Sequence, residues 1–90
     1  MTIMKIIKFT ALWCADCIVM RKTWVEISET FPQLEIEEYD FDEHEDVLKN
    51  YDVKKVPLTI FLDAEGNEVL RLEGMQNKKD LMEIIEQNLK

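Results

Sequence analysis

The two cysteines of this chain, Cys14 and Cys17, lie three residues apart where an apolar segment gives way to a helical pattern. The Cys-X-X-Cys spacing at this junction favours a strand followed by a helix whose first turn carries both sulfurs. Unpaired N–H groups and the positive dipole end at a helix N-terminus stabilise a thiolate on the first cysteine. A second thiol one turn further on can close a disulfide ring with the first. The junction therefore predicts dithiol–disulfide chemistry.

Length and charge narrow the class of protein. Residues 1–90 predict one small domain, which buries roughly 60–65% of the surface that its unfolded chain exposes. The formal net charge of −8 argues against nucleic acids and anionic membranes as partners. Residues 1–8 predict a strand interrupted by lysines rather than a signal peptide. We therefore expect a cytoplasmic protein, in which closely spaced cysteines are catalytic or metal-binding before they are structural.

Hydrophobic periodicity divides the chain into seven elements, in the order strand, helix, strand, helix, strand, strand, helix. The four strands are predicted at residues 3–9, 34–41, 58–62 and 68–72. The first helix is predicted from Ala15 to about Thr30, where Phe31-Pro32 ends it. Two further helices are predicted, a short one capped by Asp42 and running through Tyr51, and one over residues 78–89 capped by Asn77.

This order of elements predicts an α/β fold. A strand, a crossover helix and a parallel second strand form a right-handed βαβ unit. The later hairpin adds two strands antiparallel to the first. We therefore expect a three-layer sandwich, with a four-stranded mixed sheet of strand order 2-1-3-4 and helices on both faces.

Three features together make the chain similar to the thioredoxin family over nearly its whole length. Residues 13–17, Trp-Cys-Ala-Asp-Cys, resemble the family's Trp-Cys-X-X-Cys site. Val56-Pro57 precedes the third strand, where the family has a cis-proline that faces the active site. Gly74 follows the fourth strand, where the family has a glycine in its substrate groove. Typical thioredoxins are longer by an N-terminal strand and helix, so this chain resembles the glutaredoxin-sized core.

The resemblance implies a thiol–disulfide oxidoreductase that reduces protein disulfides. Cys14 would be the nucleophile and Cys17 the resolving thiol of a redox-active disulfide. The resemblance also implies a substrate groove, lined by Trp13, Val56, Pro57 and Gly74. The implied partners are disulfide-containing proteins and a reductase or glutathione as the electron source. We expect a monomer that uses no cofactor and no metal.

The residues between the cysteines depart from the family pattern. Thioredoxins usually carry Gly-Pro there, whereas this chain carries Ala15-Asp16. A carboxylate beside both sulfurs disfavours a thiolate, and it offsets the helix charge that would favour one. We therefore expect a reductant rather than a strong oxidant.

A second departure lies beneath the cysteines. Thioredoxins place an acid six residues before the first cysteine, near a lysine of the neighbouring strand. Lys8 and Glu38 hold these positions here, so the pair is present with its charges exchanged. We expect the two side chains to lie side by side on parallel strands, with Glu38 placed to take the proton of Cys17. The alternative is that both are ordinary surface charges.

Other functions stay open at this point. The chain could be a binding module with a thioredoxin fold and little turnover. It could also be a glutaredoxin-like, glutathione-linked reductase, for which Lys54 and Lys55 are the candidate anion-binding groups. A zinc site is disfavoured, because structural zinc takes four ligands and the chain has two cysteines and the single histidine His44, which we expect to be solvated.

Overall fold

The computed structural model describes residues 3–88. The four strands are β1 (Lys5–Thr10), β2 (Glu35–Asp40), β3 (Leu58–Leu62) and β4 (Glu68–Glu73). The three helices are α1 (Ala15–Thr30), α2 (Glu45–Asn50) and α3 (Lys78–Asn88). The order of these elements is the predicted one. The predicted last residue of the final helix, Leu89, lies outside the described residues.

The sheet confirms the predicted fold class. Its strand order is β2-β1-β3-β4. The central strand β1 pairs parallel with β2 and antiparallel with β3, and β3 pairs antiparallel with β4. All five residues of β3 are buried, which explains why this strand is apolar at every position except Thr59 rather than alternating.

Successive side chains of each strand point to opposite faces, and each face carries its own apolar layer. Helices α1 and α3 cover one face, where Trp24 and Leu81 pack with Ile6 of β1. Helix α2 covers the other face, where Leu48 packs with Ile7. The result is the expected sandwich of helices, sheet and helix.

The cap of α2 differs from the prediction. His44 is the N-cap residue, and its side chain makes no capping hydrogen bond. Asp42 instead accepts a hydrogen bond from the indole N–H of Trp13, with 2.8 Å between Trp13 Nε1 and Asp42 Oδ2. The prediction that Asp42 caps α2 was therefore wrong, because a residue 29 positions away in sequence engages its carboxylate.

The cap of α3 confirms the prediction. Asn77 Oδ1 accepts the backbone N–H of Asp80 at 2.8 Å, which satisfies one of the unpaired N–H groups at the helix start. Among the helices between residues 3 and 88, none has the length and apolar character needed to cross a membrane.

Candidate active site

The two cysteines lie where the central strand passes into α1. Cys14 is the N-cap of the helix, and its Sγ accepts a hydrogen bond from the backbone N–H of Cys17 at 3.2 Å. Both residues are free thiols, and they are 7% and 5% exposed. The expected burial of Cys17 is confirmed, but the two cysteines are almost equally buried. They differ in their hydrogen bonds, because only Cys14 Sγ accepts a helix N–H group, and this bond stabilises negative charge on that sulfur.

The environment of Cys17 keeps its proton in place. Burial raises the pKa of the Cys17 thiol from the ordinary value of 9.0 to about 12. The hydrogen bond with Cys14 and the negative charges of Cys14 and Asp16 act in the same direction, while a hydrogen bond with the backbone of Ala11 opposes them. Cys17 therefore needs a proton acceptor before it can attack a disulfide.

The segment around Pro57 adjoins the cysteines. Val56 packs against the cluster formed by Ala11, Cys14 and Cys17, and the Val56–Pro57 peptide bond is cis, as predicted. The backbone N–H of Gly74 donates to the carbonyl oxygen of Pro57 at 2.8 Å. Gly74 has a φ of +85°, and a Cβ at this position would meet no atom within 4 Å. The Cα of Gly74, whose N–H is bonded to Pro57, thus faces open space.

Trp13 is held at the surface beside the cysteines. Trp13 is 65% exposed. The hydrogen bond to Asp42 and an edge-on contact with the ring of Phe41, at 6.1 Å between ring centroids, fix its orientation. Leu12 and Met75, the neighbours of Trp13 and Gly74 in sequence, are also exposed. This exposed apolar surface is of the kind that marks interaction sites.

Lys8 and Glu38 form the predicted pair. They are partners in the parallel register of β1 and β2, and Lys8 Nζ lies 3.0 Å from Glu38 Oε1. The Lys8 side chain is 15% exposed and that of Glu38 is 57% exposed. Lys8 Nζ also lies 5.4 Å from the ring centroid of the buried Trp24. The lysine is thus enclosed between a carboxylate and an aromatic face.

A cavity of about 60 Å³ lies between this pair and the second cysteine, and we call it the Cys17 cavity. Its lining includes Lys8, Thr10, Cys17, Arg21, Glu38 and Asp40. Asp40 is not among the candidate residues that the sequence predicts. The signal that could have found it is the period of two in β2, because residues 38 and 40 share one face of the sheet.

Other candidate residues lie apart from the sulfurs or contribute weakly. Asp16 is exposed and is the smallest of the contributions that raise the pKa of Cys17. His44 is exposed and contacts the ring of Tyr39 edge-on, at 5.2 Å between ring centroids. Lys54 and Lys55 are exposed ahead of Pro57. Within residues 3–88, no group of three or more His, Cys, Asp or Glu side chains is arranged to hold a metal ion.

The fold and the paired thiols define an α/β sandwich with a dithiol site at a helix N-terminus. Comparison with known proteins agrees: the thioredoxin family model matches residues 2–87. The Thioredoxin H-type of Picea mariana is 38% identical over 77 residues, which are 86% of this chain. The chain belongs to the thioredoxin family.

Solved structures show the same fold. A thioredoxin from Nicotiana alata has a TM-score of 0.89 at 26% identity, and the match covers 100% of this chain and 76% of that one. A thioredoxin from Fasciola hepatica has a TM-score of 0.84 at 27% identity, covering 93% of this chain and 79% of that one. The chain spans 59% of the length of the Picea mariana relative and 59% of Thioredoxin H5 of Oryza sativa subsp. japonica.

Proposed function

We propose that this protein is a thiol–disulfide oxidoreductase that reduces protein disulfides, with Cys14 as the nucleophile and Cys17 as the resolving thiol. The observation that carries the proposal is the unequal treatment of the two sulfurs. Cys14 Sγ receives a backbone N–H of the helix N-terminus, whereas burial raises the pKa of Cys17 to about 12. Cys14 is therefore the sulfur that attacks the substrate, and Cys17 stays protonated until the resolving step.

The reaction balances as two exchanges. The Cys14 thiolate attacks one sulfur of the substrate disulfide, and the other substrate sulfur leaves as a thiolate that takes up a proton. Cys17 then loses its proton and attacks Cys14 Sγ. A Cys14–Cys17 disulfide forms, the bond between Cys14 and the substrate breaks, and the second substrate thiol is released. Two electrons pass from the dithiol to the substrate.

The substrate groove that we propose is lined by Trp13, Val56, Pro57 and Gly74. Its support is the exposed ring of Trp13, next to Cys14 in sequence, and the open space at Gly74, whose backbone N–H donates to Pro57. An extended peptide can pair with backbone at such a position by strand addition, which recognises main chain rather than a particular side chain. Protein disulfides in extended, apolar segments are therefore the proposed substrates.

Three charged residues are proposed to tune the site: Asp16, Lys8 and Glu38. The negative charge of Asp16 acts with burial to raise the pKa of Cys17, so that the reduced form lacks the thiolate stabilisation that makes a dithiol–disulfide pair a strong oxidant. Lys8, paired with Glu38, places a positive charge on the wall of the cavity that Cys17 lines. The charge of Asp16 supports a reductant, whereas the charge of Lys8 favours a thiolate and is offset by Glu38.

We further propose that residues 1–90 act as one thioredoxin-like domain, as a monomer in the cytoplasm. A dithiol that works as a reductant must be regenerated, and the cytosol supplies the electrons that keep thiols reduced. The proposed electron source is a reductase or glutathione.

Equilibration of the Cys14–Cys17 pair against glutathione tests the proposed direction of electron flow. We expect a potential near about −270 mV, typical of a reductant, and a value near about −120 mV would make the protein an oxidant instead. A peptide disulfide whose fluorescence is quenched tests the roles of the two sulfurs. Cys17→Ser should accumulate a mixed disulfide through Cys14, whereas the matched Cys14→Ser variant should form none; the reverse pattern would exchange the roles.

The same substrate separates the two other functions. A binding module would hold the peptide disulfide without releasing thiols from it. A glutathione-linked reductase would reduce glutathione mixed disulfides faster than protein disulfides, and neutral substitutions at Lys54 and Lys55 would slow it. The oxidoreductase proposed here releases two thiols per peptide, and its rate does not depend on those lysines.

A further inference from the structure

Two carboxylates, not one, line the Cys17 cavity. Glu38 and Asp40 both reach it from β2, on the same face of the sheet. Lys8 and Thr10 of β1 are their register partners. Resolution of a mixed disulfide requires a group that removes the Cys17 proton, so the question is which carboxylate is placed to do it.

Position along the strands favours Asp40. Strands β1 and β2 are parallel, and both run toward the cysteines. Residues on a strand are about 3.3 Å apart, so Asp40 lies about 6.6 Å further toward the cysteine end than Glu38. Phe41, the next residue, donates its backbone N–H to the Thr10 carbonyl at 2.7 Å and packs against the cysteine cluster. Asp40 is therefore in the row of residues next to the sulfurs.

The existing contacts of the two carboxylates point the same way. Glu38 is held by Lys8 at 3.0 Å and is more than half exposed. Asp40 Oδ1 accepts the backbone N–H of Asp42 at 2.8 Å, which fixes the carboxylate. Within residues 3–88, none of the ion pairs includes Asp40. Asp40 can take up a proton without breaking an ion pair, and Glu38 cannot.

The cavity is large enough for a bridge of water. Its volume of about 60 Å³ exceeds the roughly 30 Å³ that one water molecule occupies in the liquid, and its polar walls offer the partners that a buried water needs. The charged or titratable groups that face Cys17 come from β1, β2 and α1: Lys8, Glu38, Asp40, Arg21, Asp16 and Cys14.

We infer that Asp40 is the base that accepts the Cys17 proton, through water in the Cys17 cavity, when Cys17 resolves the mixed disulfide. The inference rests on the proposed oxidoreductase function. The proton passes from Cys17 Sγ to water while water gives a proton to the Asp40 carboxylate. The Cys17 thiolate attacks Cys14 Sγ, the new disulfide forms, and the substrate sulfur leaves with the electron pair of the broken bond. Asp40 then returns its proton to the departing thiolate or to solvent.

The resolution step can be followed alone with the aromatic disulfide 5,5′-dithiobis(2-nitrobenzoate). Attack by Cys14 releases the first thionitrobenzoate at a rate that depends on reagent concentration. Resolution by Cys17 releases the second at a rate that does not. We expect Asp40→Asn to slow the second release about 100-fold, the lower end of what a positioned general base contributes, and to leave the first unchanged.

Matched variants identify the carboxylate. Asn at position 40 keeps an oxygen that can accept the Asp42 N–H, so that the local fold is preserved. Asp46→Asn removes one negative charge from an exposed position in the same acidic region and should leave the second release at the wild-type rate. Glu38→Gln should slow it less than about threefold.

A readout of thiolate content separates a base from a passive charge. Removal of a nearby carboxylate favours the thiolate, so alkylation of Cys17 in a Cys14→Ser background should be as fast or faster with Asp40→Asn. If Asp40 is the base, Asp40→Asn makes the Cys17 thiolate easier to form but slows resolution. If Asp40 is only a nearby charge, Asp40→Asn makes the Cys17 thiolate easier to form and also speeds resolution. Formate should restore the second release in Asp40→Ser, which leaves space for it, and this rescue tests the inference even if Asp40→Asn fails to fold.

A slowing of tenfold or more in Asp40→Asn, with formate rescue of Asp40→Ser, supports the inference. A slowing below about tenfold, or a larger effect in Glu38→Gln than in Asp40→Asn, overturns it. If the wild type releases no first thionitrobenzoate, the proposed function fails, and this result is distinct from both.

Discussion

The buried Cys17 thiol predicts that the reduced protein loses stability as pH rises above 9. Burial raises the pKa of Cys17 to about 12 in the folded chain, whereas the ordinary value of 9.0 applies to the unfolded chain. Between these two values the unfolded chain releases the Cys17 proton and the folded chain keeps it. Because the unfolded state then binds fewer protons, the free energy of unfolding falls through this window and is unaffected by Cys17 below it.

The size of the loss follows from the two pKa values. By pH 10 the loss reaches about 1 kcal/mol, and by pH 12 it approaches about 4 kcal/mol. For a domain of this size the loss at pH 10 corresponds to about 4–8 °C in Tm.

Urea denaturation between pH 8 and pH 10, with a non-thiol reductant present, measures the effect. Cys14→Ser is compared with the double variant Cys14→Ser/Cys17→Ala, so that Cys14 titrates in neither protein. Tyr39, whose pKa is raised chiefly by its hydrogen bond with Glu37, titrates in both and cancels in the difference. The stability gap between the two variants should close by about 1 kcal/mol over this range, because burial, the largest cause of the raised pKa, remains when Cys14 is replaced. A gap that stays constant would show that folded Cys17 titrates like an unfolded cysteine, and the reasoning from burial would be refuted.

Three other predictions concern the fold and the groove. Glu38→Gln should cost less than about 1 kcal/mol in urea denaturation, because its carboxylate is more than half exposed; a cost above about 3 kcal/mol would mean a pair that behaves as fully buried. Gly74→Ala and Gly66→Ala should each destabilise the protein by about 1–2 kcal/mol, since both residues have a φ near +85°. Only Gly74→Ala should slow disulfide reduction, and equal reduction rates in the two variants would place Gly74 outside the groove. Asn77→Ala should lower stability by about 1 kcal/mol through loss of its capping hydrogen bond, whereas His44→Ala, which removes no such bond, should cost less; equal losses would contradict the capping argument.

Much of the fold was predictable because its signals are local. The apolar run of β3, the helical spacing of α1 and the Asn77 cap of α3 each lie within a few neighbouring residues. The order of elements then leaves few topologies, since βαβ connections are right-handed and hairpins are antiparallel. The Lys8–Glu38 register was also predictable, because the resemblance located both residues relative to the cysteines and to Pro57.

The cap of α2 was not predictable in this way. Asp42 has the side chain of a good N-cap residue, and local chemistry favours it in that role. Its partner is the indole of Trp13, which the fold brings to it from before α1. A long-range contact overrode the local preference.

Local signals in the chain suffice to predict the pair of sulfurs, their helix N-terminus and the sheet that carries them, because spacing and periodicity act over a few residues. The difference between the two sulfurs depends on long-range packing. The raised pKa of Cys17 arises from burial against Ala11, Phe41 and Val56, which come from three separate parts of the chain. The place of Asp40 on the Cys17 cavity arises from the pairing of β1 with β2. Desolvation depends on every atom that surrounds a group, and those atoms are assembled only when distant segments pack together.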